Sequence, residues 1–279
     1  MYKIIFSLTA HENLECLCDL LDNIKKCFVN YSILILLSIT ENLYDKKLET
    51  YDFIKIVTLR SKNISIWGNI ELFHQHILNM SYIYEKSITY DYFWFVASNE
   101  MFIKIIPPNF LDDYSLKIIG KKQQIDKSEY DTYFENLINT TNSWHWVNLA
   151  KKDDNFMNYL YKNNLRLIGC PHEGLVLSSD NVLEIFNEYN TSKLYENSTF
   201  KDYVMEELFV STFILNKYIV ETNYIYTFCY IYIYDLPREA SYEQIENALK
   251  SHHVSIKPVV RDYNNPMRTY IRNKINNVE

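Results

Sequence analysis

Apolar residues along this chain fall into blocks with two different spacings, and the alternation of the blocks is the first clue to the fold. Tyr2–Ala10 is almost continuously apolar, as a strand covered on both faces would be. In Asn13–Cys27 the apolar positions Leu14, Leu17, Cys18, Leu21 and Ile24 recur at helical spacing. Tyr31–Ser38 (YSILILLS) and Phe53–Leu59 (FIKIVTL) are predicted as a second and third strand. Asn69–Glu85 reads as a helix through Ile70, Phe73, Ile77 and Tyr84, and Tyr92–Ala97 (YFWFVA) as a fourth strand. Strand, helix, strand, strand, helix, strand is the order of a parallel sheet with crossover helices.

Beyond that, the pattern weakens. From about Pro107 to Asn164 the chain is more polar and less periodic. Order returns with Leu167–Gly169, Gly174–Leu177, helices over Asp180–Tyr189 and Asp202–Leu215, and a strand-like Ile225–Tyr234. No repeat, linker or low-complexity run divides the chain. The expectation is one α/β domain over 1–279, with a mixed, mostly parallel central sheet flanked by helices.

Composition narrows the function classes. Hydrophobic residues make up 48% and charged residues 23% of 279, which excludes a disordered or collagen-like chain. The net charge of −7 disfavours a nucleic-acid partner, which would call for a basic surface. Only four glycines occur (Gly68, Gly120, Gly169, Gly174), too scattered for a dinucleotide or P-loop fingerprint. The five cysteines (Cys16, Cys18, Cys27, Cys170, Cys229) form no zinc-like pairs and read as reduced thiols, which points to the cytoplasm. No apolar run is long enough to cross a membrane, so any membrane contact is expected to be peripheral.

In a parallel sheet, ligands bind where the carboxyl ends of the strands open into a crevice. This directs attention to His11, Ser38, the 61–68 segment and Ser98-Asn99-Glu100, each just after a strand. His11 there either touches a bound nucleotide or caps the following helix. Glu100 reads as a ribose contact, a metal ligand or a plain turn acid. Trp67-Gly68 reads first as a turn with an aromatic cover. Trp144, His145 and Trp146 form either a sugar-stacking platform or a core cluster. Glu206 and Glu207 open an apolar helix, where solvated acids also suit the positive helix end. Lys257, Arg261, Arg268 and Arg272 crowd a short tail, either as phosphate ligands or as a solvated basic surface. His252 and His253 lack the further spaced ligands of a zinc site.

Six spaced segments resemble the core-2/I-branching type of glycosyltransferase, which adds β-linked sugars to glycans. IIFSLTAH (4–11) resembles that family's first strand ending in His, and SIWGN (65–69) its Trp-Gly motif. DYFWFVASNEMF (91–102) is similar to the strand ending in a Ser-Gly-x-Asp turn, although here the turn reads Ser98-Asn99-Glu100. IGCPHEGLVLSSDNVLEIF (168–186) is similar to a substrate-side loop followed by a helix start. MEELFVSTF (205–213) resembles the segment with the catalytic base, and HHVSIKP (252–258) the stretch that contacts diphosphate.

The resemblance implies a GT-A-like fold, with 1–106 as the nucleotide-sugar half and 107–279 as the acceptor-side half ending in a diphosphate-binding tail. It also implies an inverting transfer of a GlcNAc- or xylose-like sugar from a UDP-sugar to a glycan acceptor. Glu207 would be the base. His11, Trp67, Lys257 and Arg261 would hold the nucleotide sugar, and Asn99, Glu100, Glu173 and Trp144 would contact substrate. The family's disulfides and membrane anchor have no counterpart here, so the chain reads as a soluble microbial or viral version.

Such a transfer needs one group to take the acceptor proton and a cation to stabilise the leaving diphosphate. No Asp-x-Asp triplet occurs to hold Mg²⁺ or Mn²⁺. No cofactor is therefore expected, and Mn²⁺ or Mg²⁺ is the less favoured alternative, with Glu100 as its ligand. The remaining alternative is a catalytically silent carbohydrate-binding protein on the same fold.

Overall fold

A computed structural model describes residues 1–11, 13–61, 68–113, 145–218, 227–231 and 239–277. The strands are β1 (Tyr2–Ala10), β2 (Ile33–Thr40), β3 (Ile54–Arg60), β4 (Tyr90–Ala97), β5 (Met101–Phe102), β6 (Val176–Ser178), β7 (Cys229–Ile231) and β8 (Ser255–Lys257). The principal helices are α1 (Leu14–Cys27), α2 (Glu71–Glu85), α3 (His145–Ala150), α4 (Asp154–Lys162), α5 (Ser179–Ser192), α6 (Met205–Tyr218), α7 (Tyr242–Leu249) and α8 (Pro266–Asn276).

The main sheet runs β3-β2-β1-β4-β6. Its first four strands are parallel, and β6 joins β4 antiparallel, pairing Tyr92 with Ser178 and Trp94 with Val176. The sheet is thus mixed and mostly parallel, as the order of apolar blocks predicts. β1 alternates its side chains between two cores. Ile4, Phe6 and Leu8 pack on one face with α1 and the tail residues Met267, Ile271 and Ile275, whereas Ile5 packs on the other with α2, α5 and α6. The last helix therefore shares a core with the first. Unlike the three strands inside the sheet, β3 is an edge strand, with Lys55 and Leu59 exposed.

Two departures from the sequence reading have simple causes. α4 lies in the stretch read as aperiodic, because only Phe156, Tyr159 and Leu160 turn inward among polar neighbours. Leu167–Gly169 forms no strand. It is held by side chains of α6 instead: Thr212 Oγ1 accepts from the Ile168 N–H at 2.9 Å and donates to its carbonyl at 3.1 Å.

The small second sheet has the order β5-β8-β7 and brings the tail under the main sheet. Gly174 makes the junction possible. Its N–H donates to Phe95 C=O and its carbonyl accepts from Phe228 N–H. It has φ of +72°, and a Cβ there would lie 2.3 Å from the Cys229 nitrogen.

The tail arginines divide between two roles. Arg268 is fully buried and donates to Asp19 of α1 at 2.9 Å, and Arg272 reaches the same carboxylate at 3.4 Å. Both tie α8 to α1, which corrects their reading as phosphate ligands or solvated charges. Among the described residues no helix is long and apolar enough to cross a membrane.

Candidate active site

Strand order places the crevice. The chain moves from β1 outward to β2 and β3, then returns to place β4 on the other side of β1. The carboxyl ends of β1 and β4 therefore flank a topological switch point. His11 leaves β1 there, half-buried. Arg60, from the end of β3, donates to Ala10 C=O at 3.0 Å and Ser38 C=O at 3.3 Å. Burial lowers its pKa to about 10.

On the β4 side the Ser98-Asn99-Glu100 turn is stitched to the tail. Val259 N–H donates to Asn99 C=O at 2.8 Å, and Arg261 Nη2 donates to Ser98 Oγ at 3.1 Å. Glu100 is fully buried; its carboxylate accepts from Ser255 Oγ at 2.5 Å and from Ala97 N–H at 3.1 Å. Burial raises its pKa to about 7 despite those bonds. The structure therefore gives Glu100 the part of a turn acid, with its carboxyl facing inward.

The stitching delivers Lys257, at the end of β8, to a loop running from Cys170 to Gly174. Lys257 Nζ pairs with Glu173 Oε1. Across the loop, the Cys170 N–H donates to Glu207 C=O at 2.9 Å, so the first turn of α6 is anchored over the same loop. His172 lies between the two carboxylates. Its Nδ1 is 3.6 Å from Glu173 Oε2 and 4.0 Å from Glu207 Oε1, and it makes no hydrogen bond. The side chains of His172 and Glu173 are 4% exposed, whereas Glu207 is 18% and Lys257 22%. The cluster therefore opens on the Glu207–Lys257 side.

Protonation follows from this packing. Burial pushes His172 down to about 4, outweighing the pull of Glu173, so the imidazole is neutral near pH 7. Burial works against the Glu173 carboxylate as well, but its cationic neighbours, Lys257 above all at neutral pH, hold it below the ordinary value. Burial and then the Glu173 charge raise Glu207. Lys257 is held above its ordinary value because Glu173, with Glu207 behind it, outweighs the cost of burial. Glu206, one residue away, is 2% exposed with Oε2 unpartnered, and burial drives its pKa far up. Neither acid is the solvated helix-end charge that the sequence allows.

No protein-family model and no curated protein sequence matches this chain. The residues must therefore be weighed by their geometry. Glu207, Glu173 and Lys257 are brought together; Arg261 and Asn99 meet at the turn after β4, where the tail is stitched to it, and His11 stands at the neighbouring strand end. Trp67 and Trp144 lie outside the described residues. Of their neighbours, Trp146 packs on Gly68, which has φ of +68° and where a Cβ would meet the indole at 3.0 Å, and His145 is exposed.

The sequence reading missed His172, which stood in the quoted CPHEG segment without a role. It also missed a polar ladder beneath it. Ser38 Oγ donates to Asn79 Oδ1 at 3.1 Å, and Asn79 Nδ2 donates to Ser7 Oγ at 2.8 Å and to Leu36 C=O at 3.2 Å. Ser7 then meets His76 Nδ1 at 2.7 Å. The other ring nitrogen, Nε2, is buried without a hydrogen-bond partner, so the ladder ends on an unsatisfied atom. The His76 ring lies 5.8 Å from that of His172, edge to face. The only signal in the sequence was serine inside two apolar strands, on the face that meets α2.

Proposed function

We propose that this chain is an inverting glycosyltransferase that moves a GlcNAc- or xylose-like sugar from a UDP-sugar to a glycan acceptor. One observation carries the proposal: Glu173, Glu207 and Lys257, far apart in sequence, converge on one opening beside the switch point of the sheet. A carboxylate and an ammonium facing one opening supply the two things that sugar transfer requires.

In this mechanism the acceptor hydroxyl oxygen attacks the anomeric carbon while the bond to the diphosphate breaks. The hydroxyl proton passes to the Glu207 carboxylate. The Lys257 ammonium leaves Glu173 for the diphosphate and stabilises the charge that builds there, with Arg261 beside it. The raised pKa of Glu207 makes it a stronger base than an ordinary carboxylate, and it acts in its ionised form. Activity should therefore climb as pH rises above neutrality. Lys257 takes the part that a metal plays in many transferases, so no cofactor is required.

The test is a thermal-shift panel of UDP and UDP-sugars in EDTA and in Mn²⁺, because a ligand of the native state raises the Tm by mass action. UDP should shift the Tm equally in both buffers. Lys257→Ala should weaken UDP about ten-fold or more, the worth of a charge-assisted hydrogen bond. A shift only with Mn²⁺ would favour the metal-dependent alternative, and no shift with any nucleotide would favour the silent carbohydrate-binding one.

A further inference from the structure

We propose that His172 Nδ1, Glu173 Oε2 and Glu207 Oε1 form a binding site for one divalent ion of the zinc class. The donor atoms of these three side chains all lie within 4.8 Å of one another. A tetrahedral ion with bonds of about 2.1 Å sets its ligands roughly 3.4 Å apart. The observed 3.6 Å and 4.0 Å from Nδ1 to the carboxylates are slightly longer than that spacing. Small side-chain rotations close the difference.

The acids alone would not make a site; the imidazole does. His172 Nδ1 is buried, aimed between the two carboxylates and without a hydrogen-bond partner, an arrangement that costs free energy unless something occupies it. Glu173 divides its oxygens: Oε1 takes Lys257, and Oε2 faces His172. An ion on Oε2 therefore does not need the ammonium's place, although the nearby charge makes this weaker than a closed structural zinc centre. The ligands come from two anchored elements, the Cys170–Gly174 loop and the first turn of α6, and Glu207 leaves an open side for a fourth, solvent ligand. One imidazole with two carboxylates suits Zn²⁺, Co²⁺ or Mn²⁺ better than Mg²⁺ or Ca²⁺, which prefer all-oxygen shells.

Such an ion would occupy Glu207 Oε1, on the carboxylate that takes the acceptor proton. Zinc would then inhibit sugar transfer. That consequence rests on the glycosyltransferase reading; the binding itself does not.

The decisive experiment is calorimetric titration of the purified full chain with ZnCl₂, together with the visible spectrum of the Co²⁺-loaded protein. One ion per chain is expected, with an intense tetrahedral Co²⁺ band. Affinity should fall at least ten-fold in both His172→Gln and Glu207→Gln, since even outer-shell partners of a metal are worth that much. His253→Ala should bind as the wild type does, because the tilted His252–His253 ring pair shares no residue with the site. No zinc binding, a pale octahedral Co²⁺ spectrum, or equal affinity in both site variants would overturn the proposal. So would a loss confined to His253→Ala. Should His172→Gln fail to fold, Glu207→Gln and the wild-type Co²⁺ spectrum still decide. No UDP or UDP-sugar shift in either buffer would remove the transferase reading and leave the zinc result standing.

Discussion

Two buried carboxylate clusters in this molecule are built on opposite principles. Asp153, fully buried at the start of α4, accepts six hydrogen bonds. They come from the N–H groups of Asn155, Phe156 and Thr199 and the hydroxyls of Ser198, Thr199 and Tyr203, so one side chain caps a helix and ties down the 198–203 segment. Glu173 and Glu207 lie in a comparably dry setting, yet they face each other across an imidazole whose nitrogen has no partner, with one ammonium between them and solvent. A satisfied cluster holds a structure together. A cluster left with competing charges and an orphaned ring nitrogen stores the unevenness that binding and proton transfer use. The second, which also opens to solvent at Glu207 and Lys257, is therefore the candidate site.

The largest expected effect falls on the unsatisfied cluster. Glu207→Gln keeps the shape and removes the basicity, so turnover should fall by roughly 10²–10⁴ while the Tm near neutral pH holds, since the amide replaces a carboxyl that is protonated there. An active Glu207→Gln enzyme would move the base elsewhere. Next comes the satisfied cluster, with the opposite signature. Asp153→Ala removes a helix cap and strands several hydroxyls, costing about 3 kcal/mol or more. The Tm should drop by roughly 6–12 °C, and the folded fraction should keep its UDP affinity. A drop of only a degree would mean that the Asp153 bonds are dispensable.

Thr212→Val tests the link between the regions, because Thr212 both donates to and accepts from Ile168 at the base of the site loop. A loss of about 1–3 kcal/mol is expected from the Ile168 N–H left unsatisfied, since Ser211 still donates to the carbonyl. UDP-sugar turnover should fall with it if the loop positions His172 and Glu173, and unchanged turnover would separate the two.

The smallest effect is in the pH dependence of stability. Glu100, Glu206 and Glu207 hold protons that the unfolded chain releases above its ordinary carboxylate value of 4.5. Their contribution is complete below that value and is lost as pH rises, for Glu100 through about 7. His76 and His172, lowered from 6.5, act in the other direction: their contribution is present above 6.5 and is lost as pH falls, for His172 through about 4. Three raised acids outweigh two lowered histidines between the two ordinary values, so stability should peak at about pH 5, and Glu206→Gln should flatten the alkaline limb of a Tm–pH curve. An alkaline limb as steep as that of the wild type would mean that Glu206 is already ionised.

The sequence by itself determined the frame. Continuous apolar runs and helical spacing located β1, α1, β2, β3, α2 and β4 to within about two residues, because burial of whole faces leaves a periodic trace. It also singled out Glu207, Glu173 and Lys257, through motif order rather than periodicity. The tertiary structure alone decided which polar residues share a site. Arg268 and Lys257 look alike in the tail, yet one closes a buried pair with α1 and the other reaches Glu173. Glu206 and Glu207 are neighbours in sequence, yet one is turned into the core and the other faces the opening. His172 acquired its setting only when β4, the Gly174 crossing and α6 came together. A side chain's charge and role depend on its burial and on partners far along the chain, and local spacing carries no record of either.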